Sequence, residues 1–223
     1  RQHAVVLRIL QGVFRFPHAC RSVASMHDHT PPPPSDELAQ EWDGRYTAQD
    51  GHLWTGLVND VVLAEVPGLT PGRALDVGCG EGADAIWLAR QGWDVTGLDV
   101  SEVALARARD AAAATGVDVT WLLADLADDP TAGTTFDLVS AQYPVLQRSA
   151  GDDVLRALLG AVAPGGTLLV VFHADMDEEH ARAHGFDPAD FHWAPDVVAR
   201  LAYDDWLVER AEVRPRVRDR GPD

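Results

Sequence analysis

The order of apolar and polar positions becomes regular from Ser35 onward, and it predicts alternating helices and strands. Ser35 can cap a helix that opens Asp36-Glu37-Leu38, where the acids suit the positive end of the helix. A second helical stretch near Leu53–Glu65 is stopped by Pro67-Gly68. Arg73–Val77 reads as a short buried strand that runs into glycines. Ala83–Gln91 is predicted helical, with Ala85, Ile86, Leu88 and Ala89 as its apolar stripe and Gly92 as its stop. Trp93–Val100 is a second strand, and Ser101 caps the alanine-rich helix Glu102–Thr115, which Gly116 ends. Val117–Ala124 and Phe136–Ala141 are the third and fourth strands. A helix over Asp152–Ala163, a turn at Pro164-Gly165-Gly166 and a fifth strand at Thr167–Phe172 follow. Pro195–Leu201 reads as a short helix and Trp206–Val213 as a sixth strand.

Strands of continuous apolar character, each followed by a helix, imply a doubly wound α/β fold with a mostly parallel sheet covered on both faces. Such sheets bind ligands at the carboxyl ends of their strands, which is where the candidate chemistry is sought.

Composition changes this picture at one end of the chain. The sequence begins with Arg1, and residues 1–27 carry four Arg and no Asp or Glu. The run Pro31–Pro34 then reads as an extended spacer. Residues 1–34 are therefore set apart as an N-terminal extension, with residues 35–223 as the domain. No apolar run approaches the roughly 20 residues of a membrane span. The net charge of −17, from 35 acidic and 18 basic residues, would repel a phosphate backbone, so a nucleic-acid partner is not expected. Two cysteines, Cys20 and Cys79, form no C-x-x-C pair, which fits a reducing cytoplasm.

The residues at the strand ends carry the chemistry. Gly78 and Gly80 follow the first strand, and glycine there lets a ligand approach bare backbone. The spacing Gly78-x-Gly80-x-x-Ala83 also satisfies a dinucleotide pattern, so the glycines alone do not choose a ligand. Asp76, two residues before Gly78, would repel a pyrophosphate and attract the α-ammonium of an amino-acid-bearing cofactor. Asp99 ends the second strand, where a carboxylate can accept ribose hydroxyls. Asp125 ends the third strand and can receive an adenine amino group, with Val100 and Leu126 packed on the ring. Cys79 fills a small buried space in the loop.

These segments resemble the successive motifs of class I S-adenosylmethionine-dependent methyltransferases: Leu75–Gly82, Gly97–Ser101, Ala124-Asp125-Leu126, Phe136–Ser140 and Pro164–Leu168. The resemblance covers residues 40–215 and implies a Rossmann-like, seven-stranded type of sheet with S-adenosyl-L-methionine as cofactor. The family sheet ends in a hairpin, and the sequence after Trp206–Val213 leaves its last strand short or missing. In flavour the chain is most similar to small bacterial enzymes of the tellurite-resistance and thiopurine type, whose N-terminal element corresponds to Trp42 and Tyr46, then Trp54 and Asn59. In such relatives this segment closes over the cofactor; these aromatics either face the sulfonium or simply pack the helix on the sheet. Arg45 reads as a surface salt bridge. The loop Ala141-Gln142-Tyr143-Pro144 lies, by family position, beside the transferable methyl. Tyr143 is accordingly a candidate to contact the acceptor, and His173 a candidate general base or a hydrogen-bonded strand-end histidine. His192-Trp193 are candidates for the substrate side.

The acidic run His173–His180 reads as a solvated loop, and no metal is expected. The function implied is methyl transfer to a small-molecule acceptor, an S, O or N nucleophile. An NAD-binding oxidoreductase and a non-catalytic S-adenosylmethionine-binding protein are the competing readings. The oligomeric state is left open, a homodimer included.

Overall fold

The computed structural model describes residues 3–12, 36–48, 51–131, 133–174, 187–201 and 206–215, together with Glu179 and Arg182. The predicted cap at Ser35, the proline spacer and most of the acidic run after His173 lie outside the described residues.

Seven strands form one sheet: β1 (His3–Gln11), β2 (Arg73–Val77), β3 (Asp94–Asp99), β4 (Thr120–Leu123), β5 (Phe136–Gln142), β6 (Val162–His173) and β7 (Trp206–Pro215). Their spatial order is β4-β3-β2-β5-β6-β1-β7. The strands β2 to β6 pair in parallel, and β1 runs antiparallel to both of its neighbours. The chain steps outward from β2 through β3 to β4, then returns to the other side of β2 for β5 and β6. The reversal leaves a crevice at the carboxyl ends of β2 and β5, the switch point where such sheets take ligands.

The helices are α1 (Asp36–Thr47), α2 (Asp60–Glu65), α3 (Ala83–Arg90), α4 (Glu102–Thr115), α5 (Asp153–Gly160) and α6 (Ala194–Leu201). Alternation along the buried strands gives two cores. Leu75, Val77, Val139 and Leu168 pack with Val154, Leu155 and Leu158 of α5 and Val197 of α6 on one face. Ala74, Val95, Leu138 and Leu169 pack with Val61 and Val62 of α2 and Ala85 and Leu88 of α3 on the other. Helix α4 begins and ends as its sequence indicates. The Ser101 hydroxyl accepts the Ala104 amide at 3.1 Å, and Gly116 closes the helix at φ 69°.

Two expectations change here. Residues 1–34 were set apart from the domain, yet His3–Gln11 forms a strand inside the sheet. It pairs with β6 from Ala4↔His173 to Leu10↔Thr167 and with β7 on its other edge. Leu7 and Ile9 enter one core while Ala4 and Val6 enter the other. An apolar run buried on both faces has no place for acids, which accounts for their absence from His3–Gln11. Arg8 breaks the run, and its guanidinium reaches Glu65 of α2 at 3.4 Å. Arg210 and Arg214 of β7 face the same carboxylate, so Glu65 ties both strands to α2. Although burial opposes ionisation, hydrogen bonding to Arg214 and the nearby guanidinium groups hold the Glu65 carboxyl below its ordinary range. The strand place that the sequence after Trp206–Val213 leaves short is filled by β1, between β6 and β7.

The second change concerns Leu53–Glu65, of which only Asp60–Glu65 is helical. The Leu53 and Trp54 amides donate to Glu81 and the Asn59 amide to Asp84, which holds the preceding segment open. Gly56 at φ 69° completes the break.

Candidate active site

The crevice at the switch point opens into a cavity of about 540 Å³, within the range of small-molecule sites. Its floor is the loop after β2. Gly78 and Gly80 take φ 66° and 54°, and Gly82 takes 82° at the start of α3. A Cβ on Gly78 would meet nothing within 4 Å, so the loop leaves bare backbone facing open space. A Cβ on Gly82 would stand 2.7 Å from Trp121, so that glycine serves packing instead.

One wall is acidic. Asp76, in register with Gly97 of β3 and Ser140 of β5, is only 2% exposed. Burial first, then the neighbouring Asp84 and Asp99, push its carboxyl well above the ordinary range, against one hydrogen bond from the Ala85 amide. Asp84, in the first turn of α3, is also raised by burial, although the Asn59 side chain and amide both donate to it, at 2.7 and 2.8 Å. Asp99 accepts the Gly80 amide at 2.8 Å and the Ser101 amide at 2.9 Å. Burial nonetheless outweighs these bonds and raises its pKa. The Val100 amide also lies against this carboxylate, whose two oxygens carry about four acceptor positions between them. Asp125 accepts the Ala127 amide at 2.9 Å and lines the cavity with Val100 and Leu126.

Cys79 also lines the cavity. Burial, then Asp99 and Asp76, push its thiol well above the ordinary range, so it stays protonated and non-nucleophilic.

The roof comes from α1 and the segment after it. Trp42, Tyr46 and Trp54 all line the cavity. Tyr46 is buried, and the Trp54 indole donates to its hydroxyl at 2.9 Å. A Cβ on Gly80 would lie 3.0 Å from that hydroxyl, so the roof rests directly on the glycine loop. Arg45 pairs with Glu41 at 2.6 Å and covers the Trp42 ring at 4.7 Å.

The wall beyond β5 differs in character. Gln142, Tyr143, Phe172, His173, Phe191 and Trp193 line it with apolar neighbours. The described residues lining it include no Asp, Glu, Lys or Arg. Tyr143 is held at φ 56°, a region bulky side chains rarely occupy, and its amide donates to Val171 at 2.8 Å. Its ring lies 4.6 Å from that of His173. His192 is 2% exposed. Burial, then the Arg148 guanidinium, lower its pKa and favour the neutral ring.

The strand ends thus bring together every cofactor candidate except Ala141. Ala141, paired in register with Val77, is fully buried in the core and does not line the cavity. Sequence reasoning missed Asp84 and Glu81. Asp84 looks like any acid in the first turn of a helix, and Glu81 like a variable position between glycines.

Residues 74–166 match the family described as "Methyltransferase domain". The chain is 34% identical over 109 residues to malonyl-[acyl-carrier protein] O-methyltransferase of Enterobacter lignolyticus, covering 49% of this chain and 42% of that protein. It is 33% identical over 111 residues to ribosomal RNA small subunit methyltransferase C of Alcanivorax borkumensis, covering 48% and 34%. The matched part therefore spans less than half the length of these curated relatives. Magnesium protoporphyrin IX methyltransferase from Synechocystis, solved with bound S-adenosylhomocysteine, shares the fold at a TM-score of 0.52 and 22% identity, over 74% of this chain and 84% of that one. No helix among the described residues is long and apolar enough to cross a membrane. Over residues 74–166 the chain is thus similar to a methyltransferase domain, and its seven-stranded sheet is the fold of a methyltransferase solved with bound S-adenosylhomocysteine.

Proposed function

We propose that the protein transfers the methyl group of S-adenosylmethionine to a small-molecule acceptor, an S, O or N nucleophile, by in-line displacement. The observation that carries this reading is the buried acid cluster of Asp76, Asp84 and Asp99 at the ends of β2 and β3 and the start of α3. Asp84 and Asp99 add to the burial that raises the Asp76 carboxyl, as in a site that lacks a cation, and a pyrophosphate would add to the repulsion. Arg45 is the only Lys or Arg among the described residues lining the cavity, and it lies on the roof against Glu41.

Asp76 then receives the ammonium of the methionine moiety, Asp99 the ribose hydroxyls and Asp125 the adenine amino group. Val100 and Leu126 pack on the ring, with Cys79 beside them, and Gly78 and Gly80 admit the ligand to bare backbone. The bound cofactor supplies a methyl on sulfur with a good leaving group already in place. Trp42, Tyr46 and Trp54 present aromatic faces from above, where a cation–π contact contributes about 0.5–2 kcal/mol. Tyr143 contacts the acceptor and His173 stands ready as a base. Alignment of acceptor and methyl is the main task of these groups and is worth several kcal/mol.

Among the described residues the wall beyond β5 presents no Asp, Glu, Lys or Arg, which supports a small acceptor without charge. The net charge of −17 weighs against a polyanionic one. The aromatics Trp42, Tyr46 and Trp54 support a kinship with the tellurite-resistance and thiopurine type. The free Cys79 suits a cytoplasmic location.

Calorimetry with S-adenosylmethionine, S-adenosylhomocysteine and NAD tests the cofactor. Binding of the first two is expected, and tight NAD binding with no response to either would overturn the reading. A panel of neutral thiols, phenols and amines, read by release of S-adenosylhomocysteine, tests the acceptor.

A further inference from the structure

Helix α1 is attached to the rest of the molecule by few groups. Of its described side chains only Tyr46 is buried, and the others are exposed or half-buried. Three polar attachments hold α1 and the segment 51–57 over the cavity. Asp43 accepts the Ser101 hydroxyl at 2.5 Å and the Val103 amide at 3.2 Å, at the start of α4. Arg107 of α4 donates to the Tyr46 carbonyl at 3.0 Å and to Glu81 at 2.8 Å. Glu81 in turn accepts the amides of Leu53 at 3.2 Å and Trp54 at 3.3 Å, and His52 lies 3.4 Å from it. Glu81 belongs to the glycine loop, so one side chain joins the floor of the site to its roof.

We propose that Glu81 is a positioning residue, the catch of a lid. Helix α1 and residues 51–57 close over the cofactor with the Leu53 and Trp54 amides seated on Glu81, and Arg107 completes the catch. Release of these contacts opens the way in and out. The inference rests on the cofactor reading above. Closure by so few buried apolar contacts is the pattern of a segment that opens at low cost. The chemistry suits a catch as well. Two amides and a guanidinium converge on one carboxylate, and hydrogen bonds to charged groups are stronger than neutral ones. Burial opposes ionisation of Glu81, but the bond from Arg107 and the two amides outweigh it and keep the carboxylate charged. His52, Arg107 and the Tyr46 ring are the titratable groups that face it, and Asp99 lies beyond Tyr46.

Two variants separate a catch from a loop-shaping role. Glu81→Gln removes the charge within the loop. Arg107→Met removes the partner from outside the cavity and leaves the glycine loop intact. Amide exchange of the ligand-free protein is expected to show faster exchange at Leu53 and Trp54 in both variants. Stopped-flow tryptophan fluorescence with S-adenosylhomocysteine is expected to show association and dissociation both accelerated, dissociation by about tenfold for the loss of one charged hydrogen bond. Unchanged exchange at the two amides would overturn the catch, as would slower association, which is the signature of a damaged loop. Failure of the wild-type protein to bind S-adenosylhomocysteine would overturn the cofactor reading instead, and amide exchange would still decide whether Glu81 holds the segment closed.

Discussion

Asp99, the last residue of β3, accepts the Gly80 amide at 2.8 Å, and this bond ties the end of one strand to the loop that follows its neighbour. The second oxygen holds the Ser101 amide, so the carboxylate shapes two turns at once. Asparagine in its place has one acceptor oxygen for two amide donors, and its own NH2 would face the other. Asp99→Asn should lose about 1–3 kcal/mol in urea unfolding and bind S-adenosylhomocysteine more weakly in calorimetry. Weaker binding at unchanged stability would mean that Asp99 serves the ligand alone.

Asp76 should show the opposite sign in stability. Its folded pKa is raised, so the folded state binds a proton more readily than the unfolded chain does. That proton stabilises the fold at low pH, and stability is lost as pH rises from the ordinary carboxylate range, about 4, through the raised value. Asp76→Asn removes the charge and should raise the Tm of the ligand-free protein at pH 8. A gain of about 1 kcal/mol corresponds to roughly 2–4 °C at this chain length. The gain should vanish near pH 4. The same variant should weaken S-adenosylmethionine binding by about ten- to hundredfold. Wild-type affinity should likewise fall as pH is lowered.

The glycines divide by consequence. Gly82→Ala puts a Cβ 2.7 Å from Trp121 and 2.9 Å from the Ala108 side chain at φ 82°, and should cost about 1–3 kcal/mol in stability. Gly78→Ala meets open space and carries only the strain of φ 66°. It should fold more stably than Gly82→Ala and yet lose affinity for S-adenosylhomocysteine. Thermal unfolding and calorimetry on the pair check both halves. Equal destabilisation with intact binding in Gly78→Ala would contradict the assignment of that space to a ligand.

Strand β1 can be tested through its core residues. Leu7 is 1% exposed between β6 and β7. Leu7→Ala should cost about 2–5 kcal/mol in urea unfolding, as a buried leucine does. A neutral result would mean that the strand contributes nothing to the folded sheet.

The sequence by itself determined the march from β2 to β6 and the loop chemistry at its strand ends. Those signals are local: apolar runs of strand length, Ser101 and Gly116 at the limits of α4, and acids at fixed distances after the runs. Asp76, Asp99 and Asp125 were readable because each lies within two residues of a strand's end, and the alternation of strands and helices already places such ends on one side of the sheet. Only the tertiary structure decided what depends on residues distant in the chain. It moved His3–Gln11 into the sheet, because its pairing partners lie more than 150 residues away in β6 and β7. It turned the start of Leu53–Glu65 out of helix, because Glu81 and Asp84 take its amides. It withdrew Ala141 from the cavity and gave Glu81 its partners. A side chain that accepts from two segments distant in the chain carries no local pattern, so its role emerges only when the fold brings those segments together.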